Sequence, residues 1–140
     1  MKKSIISFLI IGFTMIGFLS SCKKDTASNQ KFIGTYNGTL YLIERGAFLL
    51  QDTTQGAETL IISAGANAET VNLKLVNEGL NGTATISGNA LTIVPTSDGT
   101  ANYNGAGSIN GSAITAYVNK KFIGSSVPEY NYQYLFKGNK

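Results

Sequence analysis

Histidine and tryptophan are absent from this chain, and cysteine occurs once. A single thiol cannot form an internal disulfide, and thiolate–imidazole metal sites lack their ligands. The missing imidazole also removes the commonest general base. Charged residues make up only 14% of the 140, and the 8 acids are dispersed, with no inward-facing carboxylate pair of the kind glycoside hydrolysis uses. No Gly-rich loop opens a helix that would cradle a phosphate. Lys2 and Lys3 belong to an amino-terminal segment treated below, which leaves nine of the 11 basic residues against 8 acids. They are scattered rather than gathered into a stripe, so nucleic-acid binding has no electrostatic basis. A non-enzyme with no cofactor, no metal and no nucleic-acid partner is expected.

What is present begins with Met1-Lys2-Lys3, a short positive start, and the uncharged apolar run from Ser4 to Phe18. That run has signal-peptide length and falls short of the roughly 20 residues a spanning helix needs. Leu19-Ser20-Ser21-Cys22 follows and resembles a lipobox: Leu, two small residues, then Cys. The resemblance implies diacylglyceryl transfer to the Cys22 sulfur and cleavage before it. Two or three acyl chains hold a protein on a membrane durably, at about 0.8 kcal/mol per buried CH₂. Lys23 stands where an Asp would retain such proteins at the inner membrane, which implies the outer membrane. Lys23-Lys24-Asp25 is similar to short charged surface-routing tags, and the periplasmic or surface face stays open. Residues 1–21 are thus expected to be a helical signal peptide, 22–31 the lipidated cysteine with a flexible tether, and 32–140 one folded domain.

Beyond the tether the apolar period is two, which predicts strands. Phe32, Gly34, Tyr36, Gly38, Leu40 and Leu42 share one face; Leu60 and Ile62 begin a second strand; Val71, Leu73 and Leu75 make a third. Ala84 and Ile86 lead through a Gly88-Asn89 turn to Leu91 and Ile93, and Pro95 to Thr100 reads as a loop. Tyr103, Gly105, Gly107 and Ile109 precede an Asn110-Gly111 turn; Ile114, Ala116 and Val118 follow, and Tyr130, Tyr132, Tyr134 and Phe136 end the pattern. About eight short strands in meander order predict an all-β, antiparallel up-and-down β-barrel, since closure removes the sheet's edges. A two-sheet sandwich is the alternative. In a barrel, Gly34 and Gly38 are expected to lie beneath the aromatic row of the last strand.

Phe32 to Thr39, Gly82 to Ile93 and the Gly107–Ala116 hairpin resemble the short lipocalin-like lipoproteins of Gram-negative bacteria. The family's Gly-x-aromatic motif maps onto Gly34, Thr35 and Tyr36, with Tyr where lipocalins usually carry Trp, and their barrel-end basic residue maps onto Lys137. The resemblance implies a lipocalin-like barrel that binds a small apolar or amphipathic ligand. Tyr36, Leu40, Tyr103, Tyr132, Tyr134 and Phe136 are the candidate lining. An eight-stranded barrel is barely wider than its own side chains, so a packed core is the competing reading of the same residues. Arg45 to Gly56 is the longest connection, and its Phe48-Leu49-Leu50 is either a lid or, on the bland reading, the extension of a strand or a plug of the barrel bottom. Asp25-Thr26-Ala27 and Asp52-Thr53-Thr54 resemble a Gram-negative O-glycosylation motif, making Thr26 and Thr53 candidate acceptors. The leading expectation is an outer-membrane-anchored carrier. The alternative is a solid-cored envelope lipoprotein acting through a protein partner.

Overall fold

Alternation along every strand puts one row of side chains on a common face, and closing the sheet on itself buries that face without leaving open edges. A computed structural model, describing residues 28–45, 51–125 and 131–140, has this closed form. Its strands are β1 (Gly34–Arg45), β2 (Gln51–Ala64), β3 (Thr70–Leu75), β4 (Leu80–Ser87), β5 (Ala90–Ser97), β6 (Ala101–Asn110), β7 (Ala113–Phe122) and β8 (Tyr132–Asn139). Each pairs antiparallel with the next, and β8 pairs with β1 from Asn37↔Asn139 to Glu44↔Tyr132. The chain is therefore an all-β, eight-stranded antiparallel barrel rather than a sandwich. The signal segment, Cys22, Thr26, Phe48, Leu49, Leu50 and Tyr130 lie outside the described residues.

The predicted inward rows are the core: Tyr36, Leu40, Leu60, Ile62, Val71, Leu73, Ala84, Ile86, Leu91, Ile93, Ile109, Ile114 and Phe136 are buried. Several local expectations need correction. Pro95 does not open a loop; β5 runs on to Ser97 past a register shift between Ile93 and Thr96. A bulge is where a strand tolerates a residue that cannot donate. The β6–β7 turn is Gly111-Ser112 rather than Asn110-Gly111, because Asn110 pairs with Ala113. Gly111 at φ +61° supplies the positive angle a primed turn needs at its first central residue, as Gly88 does at +55° between β4 and β5. The 45–56 connection follows the strand-extension reading at its second half, since β2 begins at Gln51 and Gly56 pairs with Leu40.

The glycine–aromatic packing also differs from expectation. Leu40 and Leu42, not Gly34 and Gly38, stand opposite Phe136 and Tyr134. Gly38 faces Gly138 instead, and a Cβ there would strike the Lys137 carbonyl oxygen. The residue beneath an aromatic ring is Gly138: a Cβ on it would come within 2.7 Å of Phe136 Cε1.

One end of the barrel is sealed by residues assigned above to the tether. Asn29 is buried; its backbone N–H donates to Ala68 O (3.1 Å) and its Nδ2 to Asn67 O and Thr70 O (each 3.2 Å). The turn it starts, with Phe32 N donating to Asn29 O at 2.9 Å, drops Phe32 into the barrel with no exposed surface. Tyr36 fills the layer above, its hydroxyl donating to Phe32 O at 2.8 Å. Burying each ring fully contributes about 1.5–3 kcal/mol. Ser28 to Lys31 therefore belong to the barrel and not to a tether, which was expected to reach residue 31. The basic residue over the Tyr36 ring is Lys140, not Lys137. Lys140 Nζ lies 5.2 Å from the Tyr36 ring centre and donates to Lys31 O and Ile33 O at 2.8 Å each, whereas Lys137 Nζ lies over Tyr41, 5.8 Å from its ring centre.

Two glycine substitutions separate a crowded wall from an open one. Gly38→Ala drives a methyl into backbone and is expected to lose about 1–3 kcal/mol or more. The Cβ of Gly82→Ala meets nothing closer than Ile93 Cγ2 at 3.9 Å, so that variant should stay within about 1 kcal/mol of the parent or exceed it. Urea denaturation of the two variants side by side measures the difference, and equal midpoints would contradict this packing.

Candidate functional site

Toward the opposite end the inward rows thin out and the barrel opens. The last turns of β3, β5 and β7 converge there on a cavity of about 280 Å³. Its deep wall is aliphatic, from Leu60, Leu73, Leu75, Ile93 and Val118, and Phe136 and Tyr134 form one side. Gly82 leaves the β4 wall without a side chain, and Ala116 contributes only a methyl. Thr96, Ser97, Asp98, Asn81 and the Tyr103 ring make the rim more polar than the floor.

The β3–β4 turn, which carries Gly79, Leu80 and Asn81 into this cavity, is fixed by a carboxylate buried beneath it. Glu58 on β2 is only 4% exposed. Its Oε1 accepts from Thr59 N at 2.7 Å and Asn77 N at 3.0 Å, and its Oε2 from Glu78 N at 3.1 Å. Charge-assisted bonds to backbone N–H groups are what make a buried carboxylate tolerable. A smaller cavity of about 190 Å³ lies beside it, between Leu40, Leu42 and the start of β2.

Across the mouth, Asp98 organises the β5–β6 turn. Its Oδ1 accepts from Thr100 Oγ1 (2.7 Å), Thr100 N (2.8 Å) and Ala101 N (2.8 Å), and its Oδ2 from the Tyr103 hydroxyl (2.7 Å). These bonds, the Thr100 hydroxyl foremost, hold its carboxyl well below the usual carboxylate range. Burial first, then the hydrogen bond and charge of Asp98, push the Tyr103 phenol up to about 12. Tyr134 is also raised, by burial and then by Glu78, Tyr132 and Glu44. Both phenols therefore enter the site protonated at neutral pH. Lys120 Nζ stands over the Tyr103 and Phe122 rings, 5.7 and 4.9 Å from their centres, and Tyr132 meets Phe122 edge-on at 5.7 Å.

Of the six candidate lining residues, the structure gathers Tyr103, Tyr134 and Phe136 around the main cavity. Leu40 lines the smaller cavity, Tyr36 is sealed into the closed end, and Tyr132 packs on the rim. Thr53 is an exposed strand residue paired with Ile43. Two contributors were missed: Asp98, hidden in a stretch read as a plain loop, and Glu58, one acid among dispersed acids. The Asp98-Gly99-Thr100 run carried a legible signal, since Asp is a residue that bonds its own backbone two positions on. Compared with known proteins, the chain matches no family model and no curated sequence.

The Asp98–Tyr103 pair has a measurable signature. Asp98→Asn removes the negative charge that disfavours the phenolate, so the Tyr103 pKa should fall from about 12 toward its ordinary 10, retaining the part that burial supplies. Carbon NMR of ring-labelled tyrosine followed against pH reads this directly. An unmoved Tyr103 titration would show that the two groups are not bonded.

Proposed function

We propose that this protein is a lipid-anchored, non-catalytic protein of the bacterial outer membrane that holds a small apolar or amphipathic molecule inside its barrel. The observation carrying the reading is the cavity at the open end. At about 280 Å³ it falls just under the roughly 300–1,000 Å³ typical of ligand sites, with an apolar floor and a few polar groups at the rim. That division suits a ligand with an apolar body and a hydrogen-bonding head. The placement of Lys140 over the Tyr36 ring supports the lipocalin-like resemblance, because it joins the first-strand aromatic to a basic residue at the end of the chain. The lipobox-like Leu19-Ser20-Ser21-Cys22 supports the anchor.

One observation favours the protein-contact reading as well. Val76, Val94, Phe122 and Ile123 are exposed apolar residues, and Ile123 is 57% accessible. They stand toward the mouth end, where a partner's surface would also cover the cavity.

Two experiments test the halves separately. Titration with the neutral probe N-phenylnaphthylamine should give saturable fluorescence enhancement. Gly82→Leu, which fills the cavity where a side chain is missing, should weaken it by tenfold or more without lowering the melting temperature. Equal binding by the variant, or none by the parent, refutes the carrier. For the anchor, the parent expressed in a Gram-negative host with radiolabelled palmitate should carry label and partition into detergent, and Cys22→Ser should do neither. An unlabelled parent refutes the lipoprotein reading.

A further inference from the structure

We infer that the cavity opens away from the membrane that anchors the chain, and that the closed end of the barrel is the lipid-facing surface. This rests on the proposed acylation of Cys22 and adds a direction to it.

The described chain starts at the closed end. Ser28 Oγ donates to Ala68 O at 2.6 Å, and Lys31 Nζ donates to Asn89 Oδ1 at 2.7 Å. These bonds pin residues 28–31 to the β2–β3 and β4–β5 turns. The β3–β4 and β5–β6 turns, which frame the cavity, lie at the other end. Six residue steps separate Cys22 from Ser28, a reach of about 20 Å even when fully extended. The barrel is taller than that. β6, which frames the mouth, has 10 residues, about 30 Å of strand at about 3.3 Å per residue. A strand tilt of about 35–45° leaves about 23 Å of height. Bringing the mouth onto the lipid surface would lift Ser28 about that far above it, beyond the tether. The domain can lean but cannot invert.

The closed end suits the position. Lys31 and Lys140 are both exposed there, beside the exposed Glu69 of the β2–β3 turn, and their side chains spare a charge for anionic headgroups after meeting their carbonyl and amide partners. The mouth, with Lys120 and Lys121 against Asp98, Glu44 and Glu78, carries more carboxylates than the closed end. A ligand therefore enters from the aqueous compartment, or from a macromolecule facing the mouth, rather than from the leaflet that holds Cys22.

Because Cys22 is the sole cysteine and acylation consumes it, an introduced thiol labels uniquely. Full-length lipidated protein would be reconstituted into phosphatidylcholine–phosphatidylglycerol vesicles containing headgroup spin-labelled lipid. A fluorophore would be placed at Ser112→Cys or Ser87→Cys near the closed end, and at Glu78→Cys or Asn102→Cys near the mouth; all four positions are exposed. Closed-end labels should be quenched several-fold more than mouth labels, with both members of each pair agreeing. Equal quenching, or stronger quenching at the mouth, on vesicle-bound protein overturns the orientation while leaving the anchor intact. Protein that does not bind vesicles removes the anchor and the orientation together. Loss of N-phenylnaphthylamine binding alone would refute the carrier and leave the orientation standing.

Discussion

The pairing of β8 with β1 is the constraint on which the rest depends. Without it the meander would end in two unpaired edges, one at β1 and one at β8, each offering free N–H and C=O groups to other chains. With it, eight strands enclose a fixed circumference, and every inward side chain competes for one interior. The closed end spends that interior on Phe32 and Tyr36. The open end places Gly82 and Ala116 where larger residues would otherwise meet, and a cavity is what remains. Filling and emptiness are thus two outcomes of one circumference.

Closure also explains why some features were legible in the amino-acid order and others were not. Whether Leu73 or Asn72 points inward is decided by parity, a property of one strand, so the core rows could be read directly. The choice of barrel over sandwich rested on the cost of open edges and was settled only by the β8–β1 pairing. Which residue faces which across a seam depends on register between segments a hundred positions apart. Gly38 and Gly138 are such a pair, and no local pattern states their offset. The choice between Lys137 and Lys140 fails for the same reason. Lys137 has the parity of an outward residue, and only the docked turn at residues 28–33 creates the carbonyls that Lys140 satisfies. Asn29 was hidden more deeply. Its polar neighbours look like tether, and its side chain is held by bonds to a turn 38 to 41 residues away.

The candidate site shows the same division. Tyr103, Tyr134 and Phe136 were recognisable because aromatic residues in one period-two row must share a face. Tyr36 obeys the same rule yet lies at the sealed end, since parity says which side of the sheet a residue occupies and nothing about height along the barrel axis. Height is set by register, and so the list of candidate lining residues mixed two layers. Glu58 and Asp98 lie at the level of the cavity, and both act on backbone: each carboxylate gathers the N–H groups of a turn at the mouth. They position the rim.

That arrangement bears on the choice between a carrier and a contact protein. A rim held by carboxylates buried in, or bonded into, the turns is costly to build if the interior behind it has no use. Solid barrels close their ends by packing, as this one does at Phe32. Here one end is packed, and at the other Glu58 and Asp98 fix the backbone of the turns that surround the cavity over Leu60, Leu75 and Val118. Exposed Val76, Val94, Phe122 and Ile123 do not oppose this reading, because a molecule that leaves an apolar cavity needs an apolar margin to cross. The asymmetry between the ends, one packed with Phe32 and Tyr36 and the other left with a cavity, is the feature on which the carrier proposal rests.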